Sequence, residues 1–169
     1  MLLIKNPWFI NSALTICSVS ALLIAFLFEH VAGLVPCELC WYQRYIYLIA
    51  LIISVFNLLS FCRHNFLKYT LPLCTLVFFS GTCLAIYQVG VEQGWFAGPT
   101  SCSGLSPLNQ ATTIDELRRQ LLAAPLVRCD EIAWSLFGLS IAAWNALFCA
   151  ALTAVCTVAG WRQRKGASA

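Results

Sequence analysis

Four stretches of this chain carry no charged residue at all: positions 6–28, 45–62, 69–91 and 132–161. Apolar runs of about 18 or more residues are long enough to cross a bilayer as helices. In hydrocarbon only a helix or a closed barrel satisfies its own backbone N–H and C=O groups. Hydrophobic residues make up 60% of the sequence and charged ones only 10%, too apolar for a water-soluble domain of 169 residues. The expected fold is therefore all-α: an integral membrane four-helix bundle in a single domain over 1–169. Its spans are expected at about 11–28, 41–62, 69–89 and 132–159. They leave a long outward loop at about 90–131. There is no internal repeat and no separate soluble domain. The first segment reads as a retained span rather than a cleaved leader, because Glu29-His30 stands where a small-residue cleavage site is expected.

The few charges are sorted by side. Lys5, Arg63, Lys68, Arg162, Arg164 and Lys165 flank one set of span ends. All seven acids lie at the other set, together with Arg44, Arg118, Arg119 and Arg128. The Lys/Arg bias orients a multi-span protein, the acids counting for little. Both termini and the loop at 63–68 are expected in the cytoplasm, and the 90–131 loop outside. The net charge of +3 is small and implies no nucleic-acid partner.

The outward loop is too long for a mere connector. Its first part, Gly98-Pro99-Thr100-Ser101-Cys102-Ser103-Gly104-Leu105-Ser106-Pro107, is turn chemistry carrying a cysteine. Thr113-Ile114-Asp115-Glu116 is a capping box, so a short amphipathic helix is expected there, lying on the membrane surface. In the fourth span Trp134, Gly138, Ile141 and Asn145 are expected on one helical face. An Asn at membrane depth needs a partner, here an interhelical hydrogen bond. Ser80, Gly81 and Ala85 suit close helix packing. His30 reads as a solvated interfacial histidine rather than a catalytic base.

The chemistry concentrates at Pro36-Cys37-Glu38-Leu39-Cys40-Trp41-Tyr42-Gln43-Arg44, a C-x-x-C where the second apolar segment begins. Two thiols at this spacing can close a small disulfide. A helix N-terminus and a nearby Arg both favour the thiolate, the reactive species. With a helix starting near Cys37, Cys37, Cys40, Arg44 and Tyr47 fall within about 80° on one face. Of the ten cysteines, six lie in spans or at their inner ends and read as small hydrophobes. Cys37, Cys40, Cys102 and Cys129 face outward. Four outward thiols fit a pair of structural disulfides, a Cys₄ zinc site or a thiol–disulfide relay. Zinc sets usually use two C-x-x-C knuckles, and only one is present. A staple needs neither a dithiol beside a cation at the bilayer rim nor a cysteine in turn-rich chain. Exchange needs accessible sulfurs that can reach each other.

These residues resemble the DsbB family, the quinone-linked disulfide bond formation proteins of bacterial inner membranes. The resemblance covers essentially the whole chain. Its most specific pieces are the 36–44 motif and Arg128-Cys129-Asp130-Glu131-Ile132-Ala133-Trp134. It implies redox-active disulfides Cys37–Cys40 and Cys102–Cys129, with all four cysteines periplasmic. Cys102 would form the mixed disulfide with a periplasmic thioredoxin-like protein, DsbA. Cys129 would exchange with Cys37, and Cys40 would face a membrane quinone, ubiquinone or menaquinone, helped by Arg44. Tyr47 and Gln88 would complete the quinone site. Many members carry a His near the outer end of span three, and Gln88 stands there here. Gln can donate a hydrogen bond but cannot shuttle a proton. A vitamin K epoxide reductase-like oxidoreductase is the nearest alternative, but there the C-x-x-C follows the loop pair in chain order. A membrane protein with merely structural disulfides is the alternative from another class.

Overall fold

The computed structural model of the protein describes residues 7–59, 67–99, 113–115, 129 and 131–167. Three helices come first: α1, Pro7–His30; α2, Glu38–Leu59; and α3, Leu67–Glu92. A two-stranded hairpin follows, β1 Ser135–Leu136 and β2 Leu139–Ser140, and then α4, Ile141–Ala167. All four helices are long and apolar enough to cross a membrane. The fold is the all-helical membrane bundle expected.

The helices pack in an order that the connections dictate. α1 lies on α2, α2 on α3, and α3 most extensively on α4. Their shared core contains Leu14, Ala50, Phe78, Leu152 and Ala159, with Cys74, Cys149 and Cys156 filling small gaps. Those three cysteines are free and buried. Outward faces carry large apolar side chains, among them Ile16, Leu23, Phe26, Ile52, Phe79 and Val155. In water such faces would be unstable, whereas in lipid they cost nothing. Gly81 marks a close approach of α3 to its neighbours. A β-carbon there would stand 2.9 Å from Ile46 Cγ2 and 3.2 Å from Cys149 Sγ.

Pro72 is the sixth residue of α3, past the first turn, so the helix forgoes the bond that an N–H there would make to the Lys68 carbonyl. The loop helix expected from the capping box lies largely outside the described residues. Only Thr113, Ile114 and Asp115 of it are described, with Ile114 exposed.

The fourth span differs from expectation. It was expected from 132, but the helix begins only at Ile141. Residues 135–140 form the antiparallel hairpin, pairing Ser135 with Ser140 and Leu136 with Leu139. Its two central residues, Phe137 and Gly138, have φ of 54° and 78°. Positive φ at both is the mark of a type I′ turn, the one whose twist suits a two-residue hairpin. Ser140 then caps α4, its Oγ accepting from Ala143 N–H at 3.2 Å. Trp134 and Gly138 therefore share no helical face with Ile141 and Asn145.

Candidate active site

Cys37 is the N-cap of α2. Trp41 N–H donates to its carbonyl at 3.2 Å, the first helical bond. Its sulfur accepts from Cys40 N–H at 3.3 Å, as a capping side chain does. Pro36 directs the chain into this turn without needing a donor. Cys40, one turn on, places its sulfur 2.7 Å from that of Cys37. Both are free thiols. The Cys37 thiol is pushed well above the ordinary thiol range, first by its hydrogen bond to Cys40 and next by burial. Cys37 is therefore the protonated partner, and Cys40 carries the negative charge when the pair shares one.

The Cys37 thiol is the first donor to that charge, at 2.7 Å, and two further groups add to it. Gln88 on α3 aims its Nε2 at Cys40 Sγ, 3.6 Å away, and at Cys37 Sγ, 3.8 Å away. The Arg44 guanidinium, one turn along α2, acts on Cys40 through its charge. Arg44 does not snorkel freely to water. Its Nη1 donates to Glu29 Oε2 at 2.5 Å, and its Nη2 to the Ala25 carbonyl at 3.2 Å. The guanidinium also lies over the Trp41 ring, 4.9 Å from the centroid. So α1 holds the cation in place, and its side chain is only 14% exposed.

Cys40, Glu29, Arg44 and Gln88 line a cavity of about 650 Å³ between α1, α2 and α4. Its walls are mostly apolar, including Ile24, Phe28, Leu34, Trp134, Trp144 and Phe148. Cys40, Arg44, Tyr47 and Gln88 line it, with Gln43 and Asn145. A concave apolar site with a few convergent polar groups is the usual form of a small-molecule site. Cys37 is not among the lining residues; it lies behind Cys40.

Tyr47 and Gln88 are both present, but their polar atoms are already engaged. The Tyr47 hydroxyl donates to Asn145 and lies 3.2 Å from Cys149 Sγ. Gln88 Oε1 accepts from Gln43 Nε2 at 2.6 Å. Asn145 finds interhelical partners, Tyr47 and Gln43.

Cys129 is 2% exposed and Cys37 6%, and both belong to one apolar cluster with Leu39 and Val91. Cys129 is disulfide-bonded. Its partner lies outside the described residues, as do Cys102 and Cys62. His30 meets the Phe26 carbonyl of its own helix at 3.1 Å and stacks on the Phe26 ring.

Sequence reasoning missed Glu29, Gln43 and the hairpin as parts of the site. Gln43 sits inside the 36–44 motif beside Arg44, which is the one signal that could have singled it out.

Comparisons with known proteins point to one family. The family model for disulfide bond formation protein DsbB matches residues 7–159. The disulfide bond formation protein B of Marinobacter nauticus is 28% identical over 149 residues, covering 85% of this chain and 84% of the relative. That of Stutzerimonas stutzeri is 28% identical over 153 residues, covering 88% and 87%. An uncharacterised protein of Rickettsia prowazekii is 29% identical over 138 residues, covering 82% and 78%. No solved structure matches. With four apolar helices and a dithiol set at a helix start, the chain belongs to the DsbB family and is a multi-pass membrane protein that acts as a disulfide oxidoreductase.

Proposed function

We propose that the protein reoxidises a periplasmic thioredoxin-like dithiol oxidant of the DsbA kind and passes the two electrons to a membrane quinone. The observation that carries this is the place of Cys40. Its sulfur lines a large apolar cavity between the helices, with a fixed cation and an amide donor beside it. The cavity fits a flat ring with an apolar tail: its walls are mostly aliphatic and aromatic, with a few polar groups among them, including Cys40, Arg44 and Gln88. A quinone bound there takes up two electrons and two protons and leaves as quinol.

On this reading Cys102 and Cys129 form the pair that meets the partner. A partner thiolate attacks Cys102, and Cys129 leaves as a thiolate. The second partner thiol then releases Cys102, so the partner is oxidised and the loop pair reduced. Cys129 next attacks Cys37 of a Cys37–Cys40 disulfide, and Cys40 leaves as the thiolate. Cys102 closes on Cys129, freeing Cys37 as a thiol. Closing Cys37–Cys40 again gives up two electrons and two protons at the cavity wall. The common cluster of Cys37 and Cys129 supports the third step. Arg44 holds the negative charge on Cys40 and offers a donor into the cavity, since guanidinium cannot lose its proton. Both termini are placed in the cytoplasm and the four cysteines in the periplasm of a bacterial inner membrane, on the Lys/Arg asymmetry.

The test mixes purified protein with a reduced thioredoxin-like partner and a water-soluble short-chain quinone. Loss of quinone absorbance should match partner oxidation one to one. Partner oxidation without quinone loss would overturn the reading.

A further inference from the structure

A chain of hydrogen bonds crosses the bundle and ends on the dithiol. The Tyr47 hydroxyl on α2 donates to Asn145 Oδ1 on α4. Asn145 Nδ2 donates back to Gln43 Oε1 on α2, at 2.6 Å. Gln43 Nε2 donates to Gln88 Oε1 on α3, at 2.6 Å. Gln88 Nε2 then faces the sulfurs of Cys40 and Cys37. Each amide accepts from the member before it and donates to the next. All the dipoles therefore point the same way, toward sulfur.

The direction of such a chain has to be fixed from an end, because an amide can turn over. Tyr47 supplies a single hydroxyl proton, which it gives to Asn145 Oδ1. That leaves the Asn145 nitrogen for Gln43 Oε1, the Gln43 nitrogen for Gln88 Oε1, and the Gln88 nitrogen for the sulfurs. The Gln43 and Gln88 side chains are both buried. In a low-dielectric setting aligned hydrogen bonds polarise one another, and a reversed one is costly.

We propose that Gln43 and Asn145 are positioning residues for the redox dithiol: they lock Gln88 with its N–H turned to the Cys40 sulfur, and so favour the thiolate that the cavity requires. The proposal rests on Cys40 being the reactive thiolate of the proposed function. Among the described residues neither is hydrogen-bonded to Cys37 or Cys40; Asn145 Oδ1 also accepts from the remote Cys149 thiol, at 3.9 Å. Both act through Gln88, whose amide would otherwise turn over freely. Bonds between neighbouring polarised amides pass the effect on, so breaking the chain at Gln43 or Asn145 frees Gln88 alike.

The test reads Cys40 without any quinone. The reduced protein, purified in detergent and stripped of quinone, is treated with iodoacetamide at neutral pH, and the rate at Cys40 is followed by peptide mass spectrometry. Gln43→Met keeps the length of the side chain and removes the amide; Asn145→Leu does the same for the second link. Each should slow Cys40 alkylation by about threefold to tenfold, the worth of one hydrogen bond. The decisive measurement is a double-mutant cycle. In a Gln88→Met background, where the terminal donor is gone, Gln43→Met should cause no further slowing. An equal slowing in both backgrounds would show that Gln43 acts by packing and would overturn the proposal, as would an unchanged rate in both single variants. If Gln43→Met fails to fold, the same cycle is run with Asn145→Leu. Failure of the proposed function would show instead as an absence of quinone reduction in the unaltered protein, with this cycle unaffected.

Discussion

Replacing Arg44 separates the two halves of the proposed reaction. Three contacts are lost in Arg44→Ala: the bond to Glu29 at 2.5 Å, the bond to the Ala25 carbonyl at 3.2 Å, and the cation over Trp41. The charge acting on Cys40 goes with them. Arg44 and Glu29 side chains are 14% and 26% exposed, so the pair is neither a surface pair nor a fully buried one. Exposed pairs contribute about 0.2–1 kcal/mol, and breaking a buried pair costs about 3–5 kcal/mol. Arg44→Ala should therefore lower stability by about 1–3 kcal/mol. For the reaction, a hydrogen bond or contact to a charged group is worth about 1.5–3 kcal/mol. At about 1.4 kcal/mol per tenfold, that slows quinone reduction by roughly ten- to 150-fold. Arg44→Lys keeps a charge but loses the planar fork that reaches Glu29 and Ala25 together, so a loss of about tenfold is expected.

The assay runs the half-reactions apart. Oxidation of a reduced partner by the loop disulfide is followed with quinone absent. Reduction of quinone by the pre-reduced protein is followed in stopped flow. Arg44→Ala should slow the second and leave the first unchanged. Glu29→Gln is the control, because it loosens the joint with α1 yet leaves the cation in place. It should cost less than Arg44→Ala in quinone reduction. Unchanged quinone reduction in Arg44→Ala would refute the argument and return Arg44 to an interfacial anchor. Equal losses in Glu29→Gln and Arg44→Ala would also refute it, since the joint rather than the charge would then be what matters.

With a partner whose second thiol is replaced by Ser, the group that releases Cys102 is missing, so a stable mixed disulfide between Cys102 and that partner should accumulate on non-reducing gels; trapping through Cys37 with Cys102 dispensable would reverse the two pairs. A membrane-impermeant thiol reagent, added to intact cells after reduction, should label at least one of Cys37, Cys40, Cys102 and Cys129 and spare Cys62; labelling of Cys62 and none of these four would invert the topology. Gly81→Ala puts a β-carbon 2.9 Å from Ile46 Cγ2 and 3.2 Å from Cys149 Sγ, so the helices must part, at a cost of about 1–3 kcal/mol read as a lower Tm in detergent. Ile46→Ala in the same chain should restore part of it, and an unchanged Tm in Gly81→Ala would show that the interface is looser than its geometry.

What was legible in the sequence was whatever depends on neighbours in the chain. Uncharged runs gave the helices, and Cys37 and Cys40 stood where α2 begins because the apolar run starts just after them. The start of α4 was not legible, because hydropathy sees 132–161 as one run. The turn is made by backbone conformation at Phe137-Gly138 and by the Ser140 cap, and neither lowers the apolar content. With the chain turned back there, Trp134 and Leu136 roof the cavity and Trp144 Nε1 donates to the Leu136 carbonyl at 3.2 Å. Cross-helix partners were equally hidden. Gln43 meets Asn145 across 102 positions and Gln88 across 45. No local pattern encodes such pairs. The sequence could say that Asn145 needs a partner, but only the packing of α2 and α4 against α3 says which.

The two redox centres differ in how each can be reached, and that difference accounts for the direction of the reaction as proposed. Cys37 and Cys129 are almost wholly shielded, in a cluster with Leu39 and Val91. Exchange needs a thiolate in line with a disulfide, and an anion is poorly held in an apolar cluster unless donors are waiting for it. At Cys37 they are: the Cys40 N–H at 3.3 Å, and the Gln88 amide at 3.8 Å. A second set lies one turn deeper, where Cys40 faces Gln88 and the charge of Arg44. Negative charge is therefore better accommodated on Cys40 than on Cys37, in keeping with the raised Cys37 thiol. A thiolate arriving at Cys37 expels Cys40 toward the stronger donors and toward the cavity. Small soluble thiols, which lack a partner's docking surface, meet a buried sulfur at Cys129 and another at Cys37. On the proposed function, burial of those sulfurs excludes side reactions, and the donors around Cys40 send the electrons inward to the membrane.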